Sequence, residues 1–230
     1  MTSEEILQEI KAIFGKKWNT REGRQVPDAK DISLENDAVT LTGTVLYADM
    51  ADSTELVNGH RPWFAAEVYK AYLHGACRVI RNHGGEITAF DGDRVMAVFL
   101  GDYKNTTAVK AALQINYVVI KTNELLHAAY PTAVYALRHT VGIDTSELFV
   151  AKTGIRAAND LVWVGRAANY AAKLSALGEK GYPTYITEDV FSKLHDEAKF
   201  GGKDKKPMWE KRVWTERNMT IYRSSWWWQL

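Results

Sequence analysis

Two carboxylates are spaced to work together: Asp49, which closes a hydrophobic run, and Asp93, just past the tight pair Asp91-Gly92. Each falls where a strand pattern stops, and a strand end displays a side chain without burying it. If the two strands are neighbours, both carboxylates and the carbonyl of Met50 converge into an oxygen-rich site suited to Mg²⁺ or Mn²⁺. Taken singly, each residue has a plainer reading, Asp49 as a helix cap and Asp93 as a turn residue. Past Asp49 the cluster Met50-Ala51-Asp52-Ser53-Thr54 reads as a helix start. Backbone N–H groups of Ala51, Asp52 and Ser53 there suit phosphate oxygens.

The elements that must position these residues follow from periodicity. Thr42 to Ala48, T-G-T-V-L-Y-A, reads as a strand. Phe64, Val68, Ala71, Tyr72, Val79 and Ile80 recur at helical steps between Pro62 and Asn82, with Gly84-Gly85 as the stop. Glu86 to Phe90 and Arg94 to Leu100 form a hairpin around Asp91-Gly92. Thr106 to Tyr130 is a second long helix with Ala108, Ala111, Ala112, Ile115, Val118, Val119 and Leu125 facing inward. Ala136 to Ile143 and Glu147 to Lys152 read as a strand pair, followed by a strand at Leu161 to Val164 and a helix from Arg166 to about Leu177. A strand at Thr184 to Thr187, a helix opening at Thr187, and a final strand pair within Lys211 to Tyr222 complete the chain. Strands and helices alternate without strict βαβ regularity, so the fold class is α+β or mixed α/β around one sheet. Residues 1–40 divide into an amphipathic helix and a polar stretch, a helical arm and linker ahead of one domain over 41–230.

Composition narrows the functions. With 29 basic and 28 acidic side chains the 230-residue chain carries a net charge of +1, which argues against a broad nucleic-acid or membrane-binding surface. Cys77 is the single cysteine, which suits a reducing cytoplasm, and no apolar run approaches the roughly 20 residues of a membrane span. The six histidines lack zinc-ligand spacing. Trp226, Trp227 and Trp228 stand together near the C-terminus without an evident reason.

Four blocks occur in one order: Y-A-D-M-A-D-S-T, then F-D-G-D-R-V-M-A-V-F, V-G-I-D-T, and V-W-V-G-R-A-A-N-Y-A-A-K-L. Together they resemble the class III nucleotide cyclase catalytic domain, over about Thr44 to Tyr222. The resemblance implies a mainly antiparallel sheet flanked by helices, in a homodimer with two composite sites. Asp49 and Asp93 would hold two divalent ions, and the 3′-hydroxyl of a nucleoside triphosphate would attack the α-phosphorus, releasing pyrophosphate. Asn169 matches the position that orients the ribose. Lys173, four residues on, stands where many members carry a transition-state arginine; it keeps the charge but loses the bidentate fork. Arg166 or Arg156 is a substitute for that arginine, and Lys211, Arg212 and Arg217 are candidate triphosphate contacts.

The departures bear on the base. The two purine-reading positions of the family are Ala89 and Val162 here, neither of which can hydrogen-bond a base edge. Tyr47 alternates onto the same strand face as Asp49 and could narrow the pocket for a one-ring base. With the Trp-rich tail, these features resemble the pyrimidine cyclases of the bacterial Pycsar antiphage system. That resemblance implies UTP or CTP as substrate and a separate cyclic-nucleotide-responsive effector that reads the product. An adenylate cyclase with atypical base recognition and a degenerate nucleotide-binding module are the alternatives.

Overall fold

The run from Val39 to Met50 alternates two apolar faces and is buried almost throughout, which places it in the middle of the molecule. The computed structural model describes all 230 residues. The chain opens with α1 (Ser3–Gly15), β1 (Asn19–Glu22) and β2 (Asp37–Ala51), then α2 (Ser53–Gly59) and α3 (Pro62–Asn82). The hairpin β3 (Glu86–Asp91) and β4 (Arg94–Phe99) leads to α4 (Lys104–Ala129), and the hairpin β5 (Arg138–Ile155) and β6 (Ala158–Val164) leads to α5 (Arg166–Ser175). After β7 (Thr184–Thr187) come short helices α6 (Glu188–Ser192) and α7 (Asp196–Lys199) and a small pair, β8 (Phe200–Gly201) and β9 (Lys206–Pro207). The hairpin β10 (Glu210–Trp214) and β11 (Met219–Ser224) ends the fold.

The main sheet has the order β10-β11-β7-β5-β2-β4-β3, with β1 added to β2 and β6 to β5. All its pairings are antiparallel except β1 with β2 and β5 with β7. One face carries α3 and α4 over Leu46, Ala48, Val95, Ala97 and Ile143; the other carries α5 over Val45, Met96, Leu148 and Val150. This is the α+β sandwich expected from the sequence, and no helix is long and apolar enough to cross a membrane.

Several expected elements differ. The polar stretch read as linker contains β1, which pairs residue by residue with Asp37 to Thr40. The proposed break between Ile143 and Glu147 does not occur: β5 runs unbroken because Asp144, fully buried, finds partners in Thr187 and Arg166. Leu125, expected inside, is 71% exposed on a groove between α3 and α4. Helix α1 buries no side chain of its own, and Asn36 Nδ2 caps its end by donating to the carbonyls of Ile13 and Lys16, both at 2.8 Å.

The tryptophan triplet acquires a physical role here. Trp226 lies so close to Gly201 that a Cβ there would come within 2.4 Å of its ring, and Asn116 on α4 donates to the Trp226 carbonyl. Trp228 N–H donates to Leu113 O and Trp227 sits 5.5 Å from Tyr117, so the tail is a strap laid across α4.

Candidate active site

Asp49 lies inside β2, not at its end: it pairs across with Arg94 on one side and Thr140 on the other. It is consequently 9% exposed, and burial pushes its carboxyl up to about 6, with Arg94 pulling it down and Asp93 adding to the rise. The ladder with β4 stops at Asp49 while the ladder with β5 continues to Ala51, so the β4 side of β2 is open at Met50. Asp93 sits in the two-residue β3–β4 turn after Gly92, whose φ of +62° suits glycine. Its Oδ2 is buried with no hydrogen-bond partner. Arg94 Nε lies 3.3 Å from Asp49 Oδ2 but is not aligned for a hydrogen bond, so this contact is Coulombic.

Two neighbouring carboxylates, one desolvated and the other with an orphaned oxygen, fit a hard divalent cation. No group of three or more His, Cys, Asp or Glu side chains converges anywhere in the chain. Further ligands would have to be backbone, phosphate or water oxygens, the usual pattern for Mg²⁺.

Tyr47 occupies one rung of the sheet with Gly142, Met96 and Ala89. Tyr47 and Ala89 pack, partly buried, against the same apolar cluster beneath α5, and burial raises the Tyr47 phenol. Val162 is elsewhere: it pairs with Ala151, at the opposite end of the β2–β5 ladder from Gly142. Helix α5 rests directly on Gly142, where a Cβ would come within 2.1 Å of the Ala171 carbonyl oxygen. That contact fixes the height of Asn169 and Lys173, which stand one turn apart on the exposed side of α5. Asn169 Nδ2 donates only to Gly165 O, at 3.2 Å.

The turn Ala51-Asp52-Ser53 leads into α2, with Asp52 in the left-handed region at φ +60°. The Asp52 side chain makes no cap; it accepts instead from Arg138 Nη1 at 2.5 Å. Arg138, opposite Ala51 in the β2–β5 register, is a cation beside this turn that sequence reasoning missed. Its only signal is its place just ahead of V-G-I-D-T, and that becomes meaningful only when the register is known.

Arg166 is engaged within its own chain. Its guanidinium donates to Asp144 at 3.0 and 3.2 Å and to Thr145 O at 2.9 Å, and it also reaches Asp189. Thr187 Oγ1 donates to Asp144 at 2.6 Å, so the aspartate of V-G-I-D-T clamps β5, β7 and α5 together. Lys211, 3.8 Å from Glu188, and Arg212, paired with Glu210, are exposed on β10 at one edge of the sheet. Four inter-strand steps separate β10 from β2, roughly 19 Å at about 4.8 Å per strand.

The sheet order and the helices on its two faces are those of the class III nucleotide cyclase fold. Solved structures agree on the fold. A guanylyl cyclase matches with a TM-score of 0.68 at 18% identity, over 81% of this chain and 93% of that one. An adenylyl cyclase from Pseudomonas aeruginosa matches with 0.65 at 21%, over 81% and 95%. No protein-family model matches the sequence. Curated relatives are more specific: a uridylate cyclase of Xanthomonas perforans is 52% identical over 95% of this chain and 94% of its own. Another, from Burkholderia cepacia, is 45% identical over 98% of each, and one from Rhodovulum is 39% identical over 98% and 96%. The chain belongs to the uridylate cyclase family.

Proposed function

We propose that this nucleotide cyclase converts UTP to 3′,5′-cyclic UMP and pyrophosphate. The carrying observation is Tyr47, two positions from Asp49 on the same strand face, together with Ala89 in place of a purine-reading side chain: the base-edge partner is gone and a phenol narrows the space. The uridylate cyclases it resembles support the same base.

In this reading the ribose 3′-oxygen bonds to the α-phosphorus, the bond to the α–β bridging oxygen breaks, and the hydroxyl proton passes to solvent. Asp49, Asp93 and the Met50 carbonyl would hold two Mn²⁺ or Mg²⁺ ions. When bound, such ions acidify the 3′-hydroxyl and neutralise the leaving pyrophosphate. Ser53 at the start of α2, with Asp52 and the strand-end residue Ala51 ahead of it, offers backbone N–H groups to the β- and γ-phosphates. Asn169 orients the ribose, Lys173 places a point charge on the α-phosphate, and Lys211 and Arg212 meet the triphosphate. Arg166 acts indirectly, by holding α5 through Asp144.

Within one chain Lys211 and Arg212 stand some four strands from Asp49, and the Asn169–Lys173 side of α5 is uncovered. This supports a homodimer in which one copy brings the aspartates and the other brings α5, β10 and the Ala89 and Val162 positions to the same nucleotide. The product would serve as a second messenger in antiphage defence, made in the cytoplasm and read by a separate effector.

The test is incubation of the purified chain with ATP, GTP, CTP or UTP and Mn²⁺, with products identified by mass. Cyclic UMP is the expected product. A cyclic purine as sole product overturns the pyrimidine reading, cyclic CMP alone moves the substrate to CTP, and no product from any nucleotide overturns catalysis.

A further inference from the structure

Around Met50, on the side of the sheet covered by α3, the fold strands several polar atoms. Tyr72 on α3 is 1% exposed and its Oη has no hydrogen-bond partner. Asp93 Oδ2, His139 Nε2 and Tyr135 Oη are buried and unpartnered as well. His139 faces Met50 across the β2–β5 ladder, and its ring lies 6.0 Å from that of Tyr72. Buried polar groups are almost always paired, so several orphans at one end of a sheet call for a partner that the folded chain alone does not supply.

Tyr72 is the fully enclosed donor of the set. Its hydroxyl, enclosed in the same cluster as Met50, carries a proton with no acceptor in the folded chain. Asp93 is the acceptor that most needs fixing, because its Oδ2 is buried in a two-residue turn with no hydrogen bond to hold the carboxylate. Metal-ligating carboxylates are ordinarily oriented by hydrogen bonds from behind.

We propose that Tyr72 is a positioning residue: its hydroxyl donates to Asp93 Oδ2 once the aspartates hold a divalent cation, leaving Oδ1 directed at the metal. This rests on the metal site proposed above. The competing acceptor is His139 Nε2, which burial keeps unprotonated by lowering its pKa to about 3. A Tyr72–His139 bond would leave cation binding indifferent to the hydroxyl.

The test titrates the full chain with Mn²⁺ by calorimetry, without nucleotide, beside a thermal melt of the metal-free protein. Tyr72→Phe should weaken Mn²⁺ binding by about 10- to 100-fold. It should leave the metal-free melting temperature unchanged or higher, since an unpaired hydroxyl is removed. Tyr185→Phe, a buried tyrosine from a different cluster, should leave Mn²⁺ binding unchanged. Binding by Tyr72→Phe within twofold of the unmodified chain overturns the proposal, as does a loss carried by Tyr135→Phe in its place. In the unmodified chain labelled with ¹³Cζ-tyrosine, the Tyr72 resonance should shift on adding Mg²⁺; no shift overturns the proposal without recourse to a variant. If the unmodified chain binds no Mn²⁺, or Asp93→Asn binds it equally well, the metal site itself fails, an outcome distinct from failure of Tyr72 alone.

Discussion

Arg94 and Asp49 face each other across the last rung of the β2–β4 ladder, with Nε 3.3 Å from Oδ2. The guanidinium is the positive charge nearest the carboxylate pair in the metal-free chain, and a divalent ion would compete with it for the same oxygen. The site is therefore electrostatically balanced in two ways, by an internal cation or by an added one.

Arg94→Gln should lower the metal-free melting temperature by an amount worth about 1 kcal/mol, modest because the arginine side chain is 34% exposed. The loss should shrink on adding Mn²⁺, and Mn²⁺ should bind more tightly than in the unmodified chain. Melting curves with and without Mn²⁺ check both; a loss that Mn²⁺ does not reduce would show that Arg94 does not share the site.

Asp49→Asn should abolish cyclase activity and stabilise the metal-free chain. The folded carboxyl titrates near 6 against 3.8 for a free one. With the folded value higher, the group opposes folding not at all below about pH 4, progressively more up to about pH 6, and fully above it. The substitution should thus gain up to about 3 kcal/mol near pH 8 and nothing near pH 4. A pH series of melting temperatures checks the sign, and a gain independent of pH would contradict it.

Tyr47→Ala should relax base selection more than it harms folding. Removing the phenol should reduce the preference for UTP over ATP by about one to two orders of magnitude, the scale on which pocket size discriminates. Competition assays with both nucleotides measure the ratio; an unchanged ratio removes Tyr47 from the base pocket.

Gly142→Ala should cost activity out of proportion to stability. The added methyl group would meet Ala171 O at 2.1 Å and Ser175 N at 2.5 Å, backbone atoms that can yield only by lifting α5 off β5. The expected loss is about 1–3 kcal/mol with a larger loss of turnover, because Asn169 and Lys173 move with the helix. Circular dichroism melts and turnover assays on the same preparation separate the two effects.

Much of this was legible in the residues. The helix over Pro62–Asn82 is set by apolar side chains at steps of three and four between a proline and a glycine pair, and the β3–β4 hairpin by Asp-Gly between two apolar runs. Those signals are local, so a sequence carries them complete. The α/β sandwich followed from the order of four motifs along the chain.

Tertiary structure decided what local signals cannot carry. Asp144-Thr145-Ser146 reads as a break, yet β5 is continuous because Thr187 and Arg166, distant in sequence, satisfy the aspartate. Asp49 reads as a displayed strand end, yet strands on both sides desolvate it and raise its carboxyl. Arg138 beside Asp52, and Tyr72 against His139 opposite Met50, were invisible until strand register and helix packing brought them there. The tryptophan tail had no physical role until α4 and Gly201 supplied the surface it covers. The sequence by itself determined which chemistry the chain can perform, because that depends on residue type and order. Tertiary structure alone decided which charges are desolvated and what each one faces, because burial and pairing belong to residues far apart in the chain.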